Sequence, residues 1–240
     1  MSDFRYYRPS NFPPVVKNLI ILNILMYVAQ IAFENQFQLT NKIMLYPIDS
    51  GQFKPFQIFT HMFAHALPPM LFHILFNMFA LWMFGRVLEN VWGPKKFLFF
   101  YLACGIGAAA CHLLIEHLRY DPEIVRQFNT AIALGDEDTA RMLYPKVGSY
   151  VAGALGASGA VMGLFAAFAY LFPNTELYIM FLPIPIKAKW LVMGLVAIDL
   201  FGGFSTSGGD GIAHYAHLGG AITGFIIVLI WNKTNRKTFY

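Results

Sequence analysis

Six apolar stretches, 15–33, 70–85 with an extension to 93, 97–117, 150–172, 188–204 and 212–231, follow one another along the chain. About 19 such residues in a helix cross the roughly 30 Å hydrocarbon core of a bilayer. In that medium a backbone must satisfy its own hydrogen bonds, which a helix does. The pattern therefore predicts an all-α membrane protein, a bundle of six transmembrane helices. Composition supports this, since only 12% of residues are charged, against about 25% in soluble domains.

The net charge of +4 resembles a nucleic-acid signature, but the basic residues fall in short connections, and topology explains them better. One set of segments holds Arg5, Arg8, Lys17, Arg86, Lys95, Lys96, Lys187, Lys189, Lys233, Arg236 and Lys237. The opposite set holds Lys42, Lys54, Arg119, Arg126, Arg141 and Lys146. The positive-inside rule then places both termini in the cytoplasm. Residues 1–14 and 233–240 read as cytoplasmic tails around a single membrane domain, 15–232. A basic leader before an apolar run also fits a signal peptide. No clear small-x-small cleavage site follows it, and five further apolar runs do, so the first run reads as an uncleaved anchor. The compact chain with short tails suggests a bacterial inner membrane.

Two connections are long. Residues 34–69 carry Phe53, Phe56, Ile58, Phe59, Met62 and Phe63, which predicts a first loop lying in the membrane interface. Residues 118–149 form a polar insertion on the opposite face from the termini. There Asp121, Pro122 and Glu123 read as an N-cap, a first-turn proline and a first-turn acid. A short amphipathic helix is expected to stop near Gly135, and a second to start around Asp136 to Asp138. The Gly/Ser-rich stretch 201–211 reads as flexible. Cys104 and Cys111 lie about 10 Å apart on a helix, too far for a disulfide.

The polar residues that lipid would exclude gather at the outer ends of three spans. Ser158 sits in the small-residue stretch 152–163, about 12 Å below Tyr150 if the span starts there. His214 and His217 open span six, and His73 with Asn77 share one face of span two. Ionisable groups in a membrane are costly and face the bundle interior. Gly156, Ala160 and Gly163 on span four, and His217, Gly220 or Ala221, and Gly224 on span six, form small-residue stripes that permit a close crossing. That crossing would bring the His217 imidazole to the Ser158 hydroxyl as a general base. His73, Asn77 and the Ser158 amide are then candidate oxyanion donors. Taken singly, such a serine is a packing residue, a glycine stripe is a helix contact, and a histidine is an interhelical hydrogen bond. Their conjunction at one face carries the chemical reading.

Gly156-Ala157-Ser158-Gly159 matches the GxSG motif of rhomboid intramembrane serine proteases. Ala216-His217-Leu218-Gly219-Gly220 is similar to their second catalytic motif, and His73-Ile74-Leu75-Phe76-Asn77 resembles the HxxxN of their second span. Gly85 and Glu89 match a GxxxE that often follows. The resemblance covers residues 15–232 and implies a six-helix rhomboid fold with a membrane-submerged first loop. It implies an endopeptidase that cuts transmembrane protein substrates near their outer ends, using a Ser158–His217 dyad with no third acidic member. It also implies oxyanion stabilisation by His73 and Asn77, structural roles for Gly156, Gly159, Gly85, Glu89 and Gly220, and no cofactor. Bending of span five and of loop 201–211 would admit substrate. The bilayer is the expected environment, nucleic acid is not an expected partner, and the oligomeric state is left open.

Three features depart from the family pattern. Met162 stands where many relatives have an aromatic that supports the histidine. Phe56-Gln57 stands near where many have a Trp-Arg pair. The 118–149 insertion exceeds the short connection of minimal bacterial forms. His61 and His65 form an HxxxH pair that could share a metal on a helix. Met62 replaces the glutamate of HExxH, so structural hydrogen bonding is the expectation. Asp199 and Asp210 could each be put forward as a third triad member, but Asp199 reads as a cap or loop anchor and Asp210 as solvated. Competing readings are an inactive relative that binds transmembrane segments, and a small transporter; both catalytic side chains and the apolar cytoplasmic halves of the spans favour the protease.

Overall fold

A computed structural model describes residues 9–178, 184–204 and 214–234. Among them the chain forms α1 (Pro14–Phe37), α2 (Leu39–Ile43), α3 (Gln57–Thr60), α4 (Leu71–Trp92), α5 (Pro94–Leu118), α6 (Pro122–Leu134), α7 (Glu137–Ala152), α8 (Ser158–Leu171), α9 (Ala188–Phe204) and α10 (His214–Thr234). A two-stranded antiparallel ribbon, β1 (Glu176–Tyr178) with β2 (Pro185–Lys187), joins α8 to α9. The polar ends of the expected tails, 1–8 and 235–240, and most of the Gly/Ser-rich stretch with Asp210 lie outside the described residues.

Among the described residues, four helices, α1, α4, α5 and α10, are long and apolar enough to cross a membrane. Their outer surfaces are apolar: Leu25, Phe72, Phe76, Phe99, Ile222 and Phe225 are all exposed. The interior holds Asn23, Gln30, Asn77, Glu89 and Asp199 beside Leu81, Leu88, Phe97, Phe100, Tyr101 and Leu164. Polar side chains inside and apolar ones outside suit lipid as the surrounding solvent.

The fourth expected span is shorter than its apolar run. Helix α7 continues through residues 150–152, the chain runs non-helical from 153, and α8 begins only at Ser158. Gly153 (φ +58°) and Gly156 (φ +127°) take backbone conformations that interrupt the helix. The opened backbone is satisfied by protein, as a membrane interior requires. Leu45 and Ala154 exchange two hydrogen bonds of 2.7 and 2.8 Å, and the Gly156 N–H donates to the His61 carbonyl at 2.9 Å. Fourteen residues make α8 only about 21 Å long, well short of a bilayer core of roughly 30 Å. Helix α9, at 17 residues, is also short.

Helix α10 lies between α5 and α8, and glycine makes both contacts possible. A Cβ on Gly220 would sit 1.8 Å from the Gly159 carbonyl oxygen, and one on Gly224 would sit 2.6 Å from that of Gly163. Backbone therefore packs on backbone, the source of helix association where no hydrophobic force acts between helices. The stripe on α8 is Gly159 and Gly163, not Gly156, which precedes the helix. On the other side, Gly219 meets the Gly107 carbonyl and Cys111, while Cys104 fills the space above Gly163. Both cysteines are free thiols.

Gly85 and Glu89 dock α1. A Cβ on Gly85 would lie 2.9 Å from Val16. The two carboxylate oxygens of Glu89 accept the Val15 and Val16 amides at 2.9 and 2.8 Å. An anion at a helix N-terminus satisfies orphan donors and opposes the helix dipole. The first loop packs on α5 through Leu45, Phe53 and Ile58. The insertion forms a helical hairpin as expected. Asp121 caps the Glu123 and Ile124 amides, Gly135 (φ +71°) ends α6, and Asp136 accepts the Thr139 amide. Phe128, Ala131, Ala140, Leu143 and Val147 form its own small core.

Three outcomes follow from this packing. Glu89→Ala leaves the buried Val16 amide and the part-buried Val15 amide without their acceptor and is expected to cost about 1–3 kcal/mol of stability, read as a lower thermal midpoint in detergent. Gly220→Ala should lower that midpoint further still. Gly194→Ala, at a helical position with nothing within 4 Å, should hold or raise the midpoint, with a gain in stability of up to about 1 kcal/mol.

Candidate active site

Ser158 is the first residue of α8, and no side chain caps that helix. The first bond of the helix runs from the Val161 amide to the Ala157 carbonyl. The amides of Ser158, Gly159 and Ala160 therefore have no partner within the helix. They point toward the positive end of its dipole. The short α8 thus presents a hydroxyl and unspent N–H groups together, below where a full-length span would start.

The Gly contact between α8 and α10 sets the pairing of Ser158 with His217. His217 Nε2 lies 2.7 Å from Ser158 Oγ. Its Nδ1 lies 2.9 Å from Asp199 Oδ1 on α9. A carboxylate only accepts, so in the neutral ring Nδ1 carries the proton and Nε2 accepts from the serine hydroxyl. Asp199, expected to cap a helix or anchor a loop, instead accepts from two imidazoles of α10. The second is His214, whose Nδ1 donates to the same Oδ1 at 2.8 Å. Met162 is buried in a small cluster with Ala166 and Ala221, against Leu195 and Val196.

His73 has its tautomer fixed by the chain. The Ala66 N–H donates to His73 Nδ1 at 3.1 Å. Nε2 therefore bears the hydrogen, and it lies on the Ser158 side. A Cβ on Gly156 would sit 3.0 Å from both His73 Nε2 and Cε1, and 3.4 Å from Ser158 Oγ. Space and φ both demand glycine there. Asn77, expected to share the oxyanion role, spends an amide hydrogen on the His73 carbonyl of its own helix at 2.8 Å. A small cleft beside Ser158 is lined by His61, Met62, Ala108, Gly156, Gly159 and Ala216.

His61 and His65 do not share one helical face, because Ala64 between them is extended. The His61 Nδ1–H donates to the Gln57 carbonyl at 2.8 Å, and His65 Nε2 pairs with Asn23 Oδ1 at 2.9 Å. Behind them stands a polar network not read from sequence. Gln30 binds His65 through its amide and carbonyl, at 2.9 and 3.0 Å, and also Thr40 at 3.0 Å. Gln57 is buried and bonds to Lys42, Tyr46, Gln52 and Lys54. Asn23 and Gln30, seven apart within an apolar span, were the available signal.

Residues 52–233 match the model of the Rhomboid domain family. The chain is 29% identical over 226 residues to RHOMBOID-like protein 12, mitochondrial, of Arabidopsis thaliana, covering 94% of this chain and 60% of that protein. It is 30% identical over 169 residues to the human Presenilin-associated rhomboid-like protein, mitochondrial, covering 68% and 36%. It is 30% identical over 156 residues to Rhomboid protein 1, mitochondrial, of Saccharomyces cerevisiae, covering 64% and 36%. The chain thus spans between about a third and three fifths of the length of these relatives. Their mitochondrial designations overturn the expected bacterial inner membrane, and the cytoplasmic assignment of the termini falls with it. Multi-pass integral membrane character stands. With the family match across three quarters of its length, this chain belongs to the rhomboid family of intramembrane proteases.

Proposed function

We propose that the chain is a serine endopeptidase that hydrolyses peptide bonds of transmembrane protein substrates near one membrane face. The observation that carries this reading is the 2.7 Å contact between Ser158 Oγ and His217 Nε2 on two separate helices. His217 takes the hydroxyl proton as Oγ bonds to the scissile carbonyl carbon, and the carbonyl electron pair moves to oxygen. The oxyanion is met by the Ser158 amide and the His73 Nε2–H, both fixed before substrate arrives. When the C–N bond breaks, His217 returns the proton to the leaving amine. Water then attacks the acyl-enzyme by the same route, releasing the acid and restoring Ser158.

Gly156 and Gly159 keep the nucleophile's surroundings open, and Gly220 keeps the imidazole close. Asn77 acts through His73, holding the helix turn that carries it. The relatives' designations support a mitochondrial membrane as the site of action, with a bilayer-embedded substrate as partner.

The test is cleavage of a transmembrane substrate in proteoliposomes. Ser158→Ala and His217→Ala should each abolish cleavage while the thermal midpoint stays near wild type. Cleavage at near wild-type rate by either variant would contradict the reading. His73→Ala removes one oxyanion donor and should lower kcat by about 10²–10³-fold, whereas Asn77→Ala should lower it less.

A further inference from the structure

We propose that Asp199 is a positioning residue for the peptidase, its carboxylate holding His217 in the tautomer that accepts the Ser158 proton, with His214 as a second tether on that carboxylate. The proposal rests on the serine-peptidase reading and extends it to a third helix. Asp199 Oδ1 accepts from His214 Nδ1 and His217 Nδ1 at 2.8 and 2.9 Å. Those two histidines are three residues apart and share one face of α10. Asp199 and His214 are buried, at 5% and 8% exposure. An intramembrane carboxylate is retained where it has partners and a task.

The remaining orientation of the imidazole supports the same conclusion. With Nε2 on Ser158 and Nδ1 on Asp199, both ring nitrogens are spent, and the ring cannot flip without losing both bonds. Such a carboxylate fixes the tautomer and stabilises the imidazolium formed during catalysis, without itself taking the proton. Methionine at 162 has no flat ring face to lay on the histidine, so support from α9 takes that place. Gly202, one turn beyond Asp199, makes room for the second tether. A Cβ there would sit 2.4 Å from His214 Cε1 and Nε2. Next to it, the Tyr215 hydroxyl donates to the Gly203 carbonyl, and Arg119, just past the end of α5, donates to that hydroxyl at 3.3 Å. The end of α9 is therefore seated on the first turn of α10 at Asp199, Gly202 and Gly203.

The experiment measures kcat and KM for a transmembrane substrate, and the rate of fluorophosphonate labelling at Ser158, on the full chain in proteoliposomes. Asp199→Asn keeps shape and hydrogen bonding but loses the charge. It should lower kcat and the labelling rate together by at least about tenfold, with KM within about twofold. Asp199→Glu, which retains the carboxylate, should exceed Asp199→Asn in kcat. If the carboxylate only ties α9 to α10, Asn should match or exceed Glu at near wild-type kcat, and the proposal falls. Should both variants unfold, Gly202→Ala keeps Asp199 and displaces only His214; a kcat loss of about threefold or more at unchanged KM supports the proposal, and unchanged kcat overturns it. A wild-type chain showing neither Ser158-dependent cleavage nor labelling removes the peptidase reading itself, and the role of Asp199 with it.

Discussion

The site depends on backbone touching backbone where α8 crosses α10. Gly220 and Gly224 lie against the carbonyls of Gly159 and Gly163 so closely that no side chain fits between them. In lipid this contact cannot draw on the hydrophobic effect, so its strength is van der Waals packing over a long glycine seam. Ser158 stands one residue before Gly159, and His217 three before Gly220. The seam therefore fixes the separation of hydroxyl and imidazole, and the proposed chemistry would take its precision from helix packing.

A second constraint sets where that pair sits. Because α8 begins at Ser158 and not at residue 150, the proposed nucleophile occupies a helix start, where amides are unspent. The price is a non-helical segment at residues 153–157 within an apolar run, and the first loop meets it. Leu45 and His61 supply the missing backbone partners. Helix α1 holds that loop in turn, through Gln30 and Asn23 on His65. The Ala66 amide then sets the tautomer of His73. A line of hydrogen bonds thus runs from the lipid-facing first helix to the donor beside Ser158.

Much of this was legible in the sequence, for reasons that separate what was found from what was missed. Ser158, His73 and His217 are polar residues in apolar runs, and their small neighbours announce close crossing. Asp121, Pro122 and Gly135 bound α6 because capping and positive φ are local effects. The start of α8 was misplaced because hydropathy is continuous across residues 150–172, while the break comes from two glycine dihedrals that hydropathy does not sense. Gly156 was accordingly put on a helical stripe it does not join. Asp199 was misread because its partners lie 15 and 18 residues away on another helix, a relation no local pattern encodes. Asn77 shares a face with His73 as expected, but the amide turns back to its own helix. The compartment was misjudged because chain compactness carries no physical information about which membrane holds it.

The most direct measurement is an experimental structure of the protein inactivated by a fluorophosphonate. The account predicts phosphorus bonded to Ser158 Oγ, the phosphoryl oxygen between the Ser158 amide and His73 Nε2, and the His217 ring still between Ser158 and Asp199. Phosphorus on another residue, or an imidazole seated away from that hydroxyl, would contradict it.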